Sequence, residues 1–140
     1  MKLIKKIIDR TEVYFKNGVK KYEHSKNSDG LEEWREYDSK GNNIYFKNSN
    51  GLEEWREYDS KGNNIYSKDS DGLEEWREYD SIGNKIHFKN SDGEEWGKEY
   101  DSEGNVIYSK DSGGNEWRKK DISDVEVEVE EVDIEPFTFK

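Results

Sequence analysis

Apolar and polar residues alternate along this chain in runs of about seven, and the runs recur at a fixed interval. In Leu31 to Asp38, alternation places Leu31, Glu33, Arg35 and Tyr37 on one side of an extended strand and Glu32, Trp34, Glu36 and Asp38 on the other. The following run behaves alike, with Ile44 and Phe46 facing one way and Tyr45 and Lys47 the other. Near copies of Leu52-Glu53-Glu54-Trp55-Arg56-Glu57-Tyr58-Asp59-Ser60-Lys61-Gly62-Asn63 return every 21 residues, so the chain reads as an array of one supersecondary unit.

Two kinds of turn separate the runs. One reads Tyr-Asp-Ser-x-Gly-Asn, from Tyr37, Tyr58, Tyr79 and Tyr100; the other reads Asn-Ser-Asp-Gly or a close variant, with glycines at 30, 51, 72, 93 and 114. In the first, the Asp side chain can bond backbone N–H groups two residues on while Gly takes the left-handed position; the second is again suited to a tight reversal. Each copy is therefore strand, turn, strand, turn. The prediction is an all-β fold: an antiparallel β-hairpin repeat array of about five 21-residue repeats, built as an extended meander or as a hairpin solenoid, with capping strands at both ends.

The ends differ from the middle. Residues 1–25 carry Leu3, Ile4, Ile7 and Ile8 at a spacing that fits a helical face, but β-branched residues and Thr11-Glu12-Val13-Tyr14-Phe15 favour basic capping strands, joined by a hairpin turn at Asn17-Gly18. Residues 26–121 hold the repeats. Residues 122–140 include Val125-Glu126-Val127-Glu128-Val129-Glu130, a strand pattern with one valine face and one carboxylate face, read as an acidic cap. In the fourth copy the Leu before Glu94 is missing and Gly97 follows Trp96, which moves Trp96 to the parity of Tyr100 and predicts a glycine bulge.

Composition changes the picture in two ways. Only 29% of the residues are hydrophobic and 41% are charged, which by itself leans towards disorder; nineteen regularly placed Trp, Tyr and Phe residues argue for a folded sheet. The net charge of −11 is unevenly spread, with +5 in residues 1–22 and −7 in residues 121–140, and it disfavours direct binding to nucleic acid. There is no cysteine, and the lysine-interrupted start is too short for a signal-peptide core, so a cytoplasmic protein is expected, without membrane contact.

The Tyr-Asp-Ser-Lys-Gly-Asn turns, at this period and with Trp, Tyr and Ile-Tyr strands between them, resemble the tyrosine-aspartate (YD, or RHS-type) repeats of bacterial surface and toxin proteins over roughly residues 26–121. That resemblance implies a β-hairpin array without catalysis, in a bacterial or phage setting. This chain differs in placing Asn42, Asn63, Asn84 and Asn105 where an Arg often follows the Gly, and Arg35, Arg56 and Arg77 where an aromatic usually stands.

Candidate chemistry is thin. His24 and His87 fall in the series 24, 45, 66, 87, 108, whose other members are tyrosines, so they read as structural aromatics. Asp69-Ser70-Asp71-Gly72 has the alternate carboxylates that open a calcium loop, but other copies of the turn lose them. Adjacent pairs such as Glu53-Glu54 point to opposite faces and cannot share a substrate. No enzyme, cofactor or metal is expected.

Binding remains. Glu126, Glu128 and Glu130 would lie about 6.7 Å apart along one strand face, of the order of neighbouring phosphates, with Glu131, Asp133 and Glu135 close by. Such a row predicts an acidic protein that inhibits or neutralises a basic, nucleic-acid-handling partner, as immunity proteins and phage anti-CRISPR proteins do. The alternative is a carbohydrate-binding or cell-surface module using Trp34, Trp55, Trp76, Trp96 and Trp117 as a stacking surface. The basic start and acidic end are also complementary strands that can pair within one molecule or between two, the second giving a head-to-tail or two-fold homo-oligomer.

Overall fold

In the computed structural model, which describes residues 2–120 and residue 131, the chain forms a single antiparallel sheet. Its strands are β1 (Ile4–Ile8), β2 (Thr11–Lys16), β3 (Val19–Lys26), β4 (Glu32–Tyr37), β5 (Asn43–Asn48) and β6 (Glu53–Tyr58). They continue as β7 (Asn64–Asp69), β8 (Glu74–Tyr79), β9 (Lys85–Asn90), β10 (Glu95–Tyr100), β11 (Val106–Asp111) and β12 (Glu116–Arg118). Sheet order equals chain order, and each strand touches only its sequence neighbours. The array is thus the extended meander and not the coiled solenoid. The residues 2–8 are strand, not helix, over Ile4–Ile8.

The sheet has one layer. Val13, at 4% exposure, is the one buried apolar residue among those described, and most strand residues are half-buried. Among the described residues nothing packs on either face, because neither face is apolar enough to require it. What replaces a core is the cross-strand pair. Tyr45 lies against Trp55 and Tyr66 against Trp76, each with ring centroids 5.8 Å apart, and His24 stacks on Trp34 at 5.0 Å. Long cations cover other rings: Arg35 lies 5.0 Å from the Phe46 ring centre, Lys98 4.5 Å from Trp96 and Arg118 4.5 Å from Tyr108. Their alkyl stems cover apolar surface while their charges stay in water.

The two turns are one device. Asp59 Oδ1 accepts from the N–H groups of Lys61 and Asn63, both at 2.9 Å, and Asn48 Oδ1 accepts likewise from Asn50 (3.0 Å) and Leu52 (3.1 Å). Gly62 follows at φ 88° and Gly51 at φ 89°, in the region that an L side chain enters only with strain. The structural unit is therefore half the sequence repeat: one strand and one Asx turn.

Register alternates between long and short pairings. The β4–β5 pair runs from Glu33↔Asn48 to Tyr37↔Asn43, whereas β5–β6 holds only Tyr45↔Trp55 to Lys47↔Glu53. Side chains clamp the open end of each. Ser49 donates its N–H to Glu32 O (2.9 Å) and accepts the Glu32 N–H on Oγ (3.0 Å), with equivalents at Ser70, Ser91 and Ser112. At the other end Tyr58 donates to Asn43 O (2.7 Å), as Tyr79 does to Asn64 O and Tyr100 to Lys85 O.

Two expectations need correction. The register shift of the fourth copy is not at Gly97, which pairs directly with His87 and Lys110; it lies between Glu99 and Tyr100, where the first three copies have theirs as well. Strict alternation also fails at this bulge. Asn43 pairs with Tyr37 and Tyr45 with Glu36, so Ile44 is an extra residue and the simple parity of Ile44 with Phe46 does not hold across it.

Candidate binding surface

The register sorts the side chains into two unlike faces. One carries diagonal rows that cross five strands: Glu36, Tyr45, Trp55, Lys68 and Glu74 form one, and Glu57, Tyr66, Trp76, Lys89 and Glu95 the next. Each row sets an aromatic pair and one lysine between two carboxylates. Trp34, Trp55 and Trp76 belong to this face, and Trp55 (39% exposed) and Trp76 (37%) are its open aromatics. Glu57, Glu78 and Glu99 stand exposed at the acidic end of successive rows.

The opposite face is closer to neutral. Arg35 pairs with Glu33 at 2.8 Å, Arg56 with Glu54 at 2.7 Å and Arg77 with Glu75, each two residues along its own strand. Trp96 belongs here, opposite Phe88, and so does Trp117, opposite Ser109. The cause is one residue fewer between turn glycine and tryptophan in the fourth and fifth copies, Gly93 to Trp96 and Gly114 to Trp117, against Gly72 to Trp76. A one-residue shift moves a side chain to the other face. The five tryptophans therefore do not make one stacking surface: three lie on one face and two on the other.

A depression of about 800 Å³, open to solvent, runs over Ile65, Tyr66, Trp76 and Ile86 and is bordered by Glu57, Asp59 and Glu78. It is broad and shallow, suited to a protruding side chain or a flat ligand rather than to an enclosed substrate.

The histidines hold structural positions. His24 Nε2 lies 3.2 Å from Glu32 and His87 Nε2 2.8 Å from Glu95, while the tyrosines of the same series donate to their own partners: Tyr45 to Glu53, Tyr66 to Glu74 and Tyr108 to Glu116, each at 3.0 Å. All five thus bond a glutamate eight residues on. The His87 bond, first among its causes, holds the Glu95 carboxyl below the usual carboxylate range. Tyr37 is pushed up to about 12 by burial and by its hydrogen bond to Glu23 at 2.8 Å. These shifts belong to bonds that hold the sheet and not to a proton-transfer site.

Asp69 Oδ1 is occupied by the N–H groups of Asp71 (2.9 Å) and Leu73 (3.1 Å), so the Asp69-Ser70-Asp71-Gly72 segment is accounted for as a turn. Among the described residues no cluster of three or more His, Asp or Glu side chains is placed to hold a metal ion, and no helix is long and apolar enough to cross a membrane. Glu53 faces Lys47 on the tryptophan face while Glu54 faces Phe46 on the other, as alternation requires.

Of the expected acidic row, Glu131 is exposed; Glu126, Glu128, Glu130, Asp133 and Glu135 lie outside the described residues. Sequence reasoning passed over Glu57, Glu78 and Glu99 as partner-facing groups, although their recurrence immediately before the Tyr-Asp turns was the available signal. Compared with known proteins, the chain matches no protein-family model and no curated protein, so the likeness to YD repeats rests on the Tyr-Asp turns and the 21-residue period alone.

Proposed function

We propose that the protein is a non-enzymatic acidic binding protein that occupies and neutralises a basic, nucleic-acid-handling protein, in the manner of immunity proteins and anti-CRISPR inhibitors. The observation that supports this reading is the tryptophan face, where exposed Trp55 and Trp76 lie in rows bounded by carboxylates. An Arg or Lys side chain of the partner can lie over an indole ring while its charge meets Glu57 or Glu78. The net charge of −11 would steer a cationic surface towards it. A sheet with unlike faces offers a flat interface of protein-partner size, which suits a macromolecule better than a small substrate.

The test is capture of partners from host extract on the intact protein at low and moderate salt, repeated with Trp55→Ala/Trp76→Ala and with Glu57→Gln/Glu78→Gln. A basic nucleic-acid-handling protein, held at low salt and bound about tenfold more weakly by either variant, is the expected result, since buried Trp contacts at interfaces are each worth more than ~1 kcal/mol. Recovery of no basic protein, or capture indifferent to both variants, would sink the idea.

A second reading draws on the same tryptophans. Trp34, Trp55 and Trp76 recur on one face at intervals of about 12 Å, from two strand spacings and a two-residue offset, a regular row on which sugar rings can stack. Quenching of tryptophan fluorescence by oligosaccharides, abolished in Trp55→Ala/Trp76→Ala, would favour it over the acidic-inhibitor reading.

A further inference from the structure

On the face that carries the Arg–Glu pairs, the series 25, 46, 67, 88, 109 reads Ser, Phe, Ser, Phe, Ser, one residue on each returning strand. Each forms the floor of a slot walled by the two neighbouring strands. Phe46 pairs with Arg35 and Glu54, and Phe88 with Arg77 and Trp96. Both rings lie beside a guanidinium, Phe46 at 5.0 Å from Arg35 and Phe88 at 5.6 Å from Arg77. Ser67 pairs with Arg56 and Glu75. Ser25 faces Thr11 and Glu33, and Ser109 faces Lys98 and Trp117. Of the series, only position 67 therefore sets an arginine opposite a residue without a ring.

The smaller side chain leaves real space. A cavity of about 220 Å³ follows β7 between Glu54 and Arg56 on one wall and Glu75 and Arg77 on the other, with Leu73 at its turn end. Cavities of about 150 Å³ accept a benzene ring, so a single six-membered ring fits. The walls are already ordered. Arg77 Nη1 donates to Ser67 Oγ (3.3 Å) and to Asn64 Oδ1 (2.8 Å), and Arg56 donates to Glu54 (2.7 Å). A guanidinium plane attracts the electron-rich face of an aromatic ring and offers a branched alkyl group no such contact.

We infer that this slot receives one aromatic side chain, a phenylalanine or a tyrosine, presented by a partner polypeptide. The ring takes beside Arg56 the place that Phe46 holds beside Arg35 and Phe88 beside Arg77. One ring in an open slot gains too little to offset the freedom that a free small molecule loses, so the occupant is a ring carried on a chain that also contacts the surface around it. Aromatic side chains are enriched at protein interfaces for this reason among others. The slot lies on the face opposite Trp55 and Trp76, and the inference does not depend on the proposed function.

NMR of backbone amides and arginine side chains on the full chain tests it. The probes are a capped glycine peptide with phenylalanine at its centre and its twin with leucine there. The phenylalanine probe at millimolar concentration is expected to shift the Nε–H resonances of Arg56 and Arg77 and the Ser67 amide, and the leucine twin to leave them in place. Ser67→Phe supplies the ring from within, as Phe46 and Phe88 do, and is expected to abolish the shifts. Arg56→Met is expected to weaken binding about three- to fivefold, the worth of one exposed cation–π contact, and it decides the matter if Ser67→Phe does not fold. No shift with the phenylalanine probe, equal shifts with leucine, shifts that persist in a folded Ser67→Phe, or binding unchanged in Arg56→Met would each overturn the inference.

Discussion

An Asp or Asn side-chain oxygen organises every turn from Asn27 to Asn115. Asp59 accepts three hydrogen bonds, from the N–H groups of Lys61 and Asn63 and from the Asn63 side chain at 3.1 Å. The Asn63 backbone bond, first among them, holds the Asp59 carboxyl below its ordinary value, and Asp101 is held down in the same way by Asn105. A folded-state pKa below the unfolded one contributes stability that is present above the ordinary carboxylate value near ~3.9 and is lost as pH falls through the lowered one. Other copies of the turn use Asn27, Asn48 and Asn90, which accept the same backbone bonds without a charge. Asp59→Asn is therefore expected to keep the neutral-pH stability and to flatten the acid limb, while Asp59→Ala loses stability at neutral pH. Denaturant melts at neutral and acidic pH check both; an Asn variant as acid-sensitive as the wild type would contradict the account.

Among elements, the N-terminal hairpins show how turn chemistry was and was not readable. Asn17-Gly18 marks the β2–β3 turn, and both residues take positive φ, 51° and 78°. The β1–β2 turn is built alike from Asp9 (φ 45°) and Arg10 (φ 64°), where the sequence offers no glycine to announce it. An Arg in the left-handed region carries a steric cost of about 1 kcal/mol, partly offset in any Gly replacement by the entropy that Gly adds to the unfolded chain. Arg10→Gly is accordingly expected to stabilise the hairpin by about 0.5 kcal/mol, seen as slower amide exchange across Ile4–Ile8. Unchanged or faster exchange there would show that the turn is not strained. The bulges illustrate the opposite limit: they recur in the first four copies, yet nothing at Ile44 or Ile65 identifies an extra residue until the pairing of both neighbours is known.

At the scale of the molecule, the described strands contact only their sequence neighbours, which makes the array nearly one-dimensional. Removal of residues 64–84, one full period, joins Asn63 to Lys85 and leaves every remaining strand a neighbour of the usual kind. The shortened chain is expected to fold with the same circular dichroism per residue and to lose about 10 Å of length in small-angle scattering, two strand spacings. Collapse of the β signal would show long-range dependence that a single-layer sheet does not have.

By itself the sequence determined the elements and their order. Period-two alternation fixed the strands, Asx-Ser-x-Gly fixed the turns, and the series from His24 to Tyr108 fixed a structural role for both histidines, because each of these depends on residues close in the chain. Only the tertiary structure decided which positions meet across strands. Hydrogen-bond register, including one bulge per repeat, placed Trp55 beside Tyr45, sent Trp96 and Trp117 to the other face, and gathered the glutamates into rows with the exposed indoles. Register is a property of pairs of strands, and a shift of a single residue reverses it. The choice of an open layer over a coiled one was likewise settled by what the faces carry: charged and half-buried on both sides, they gain little from being brought together.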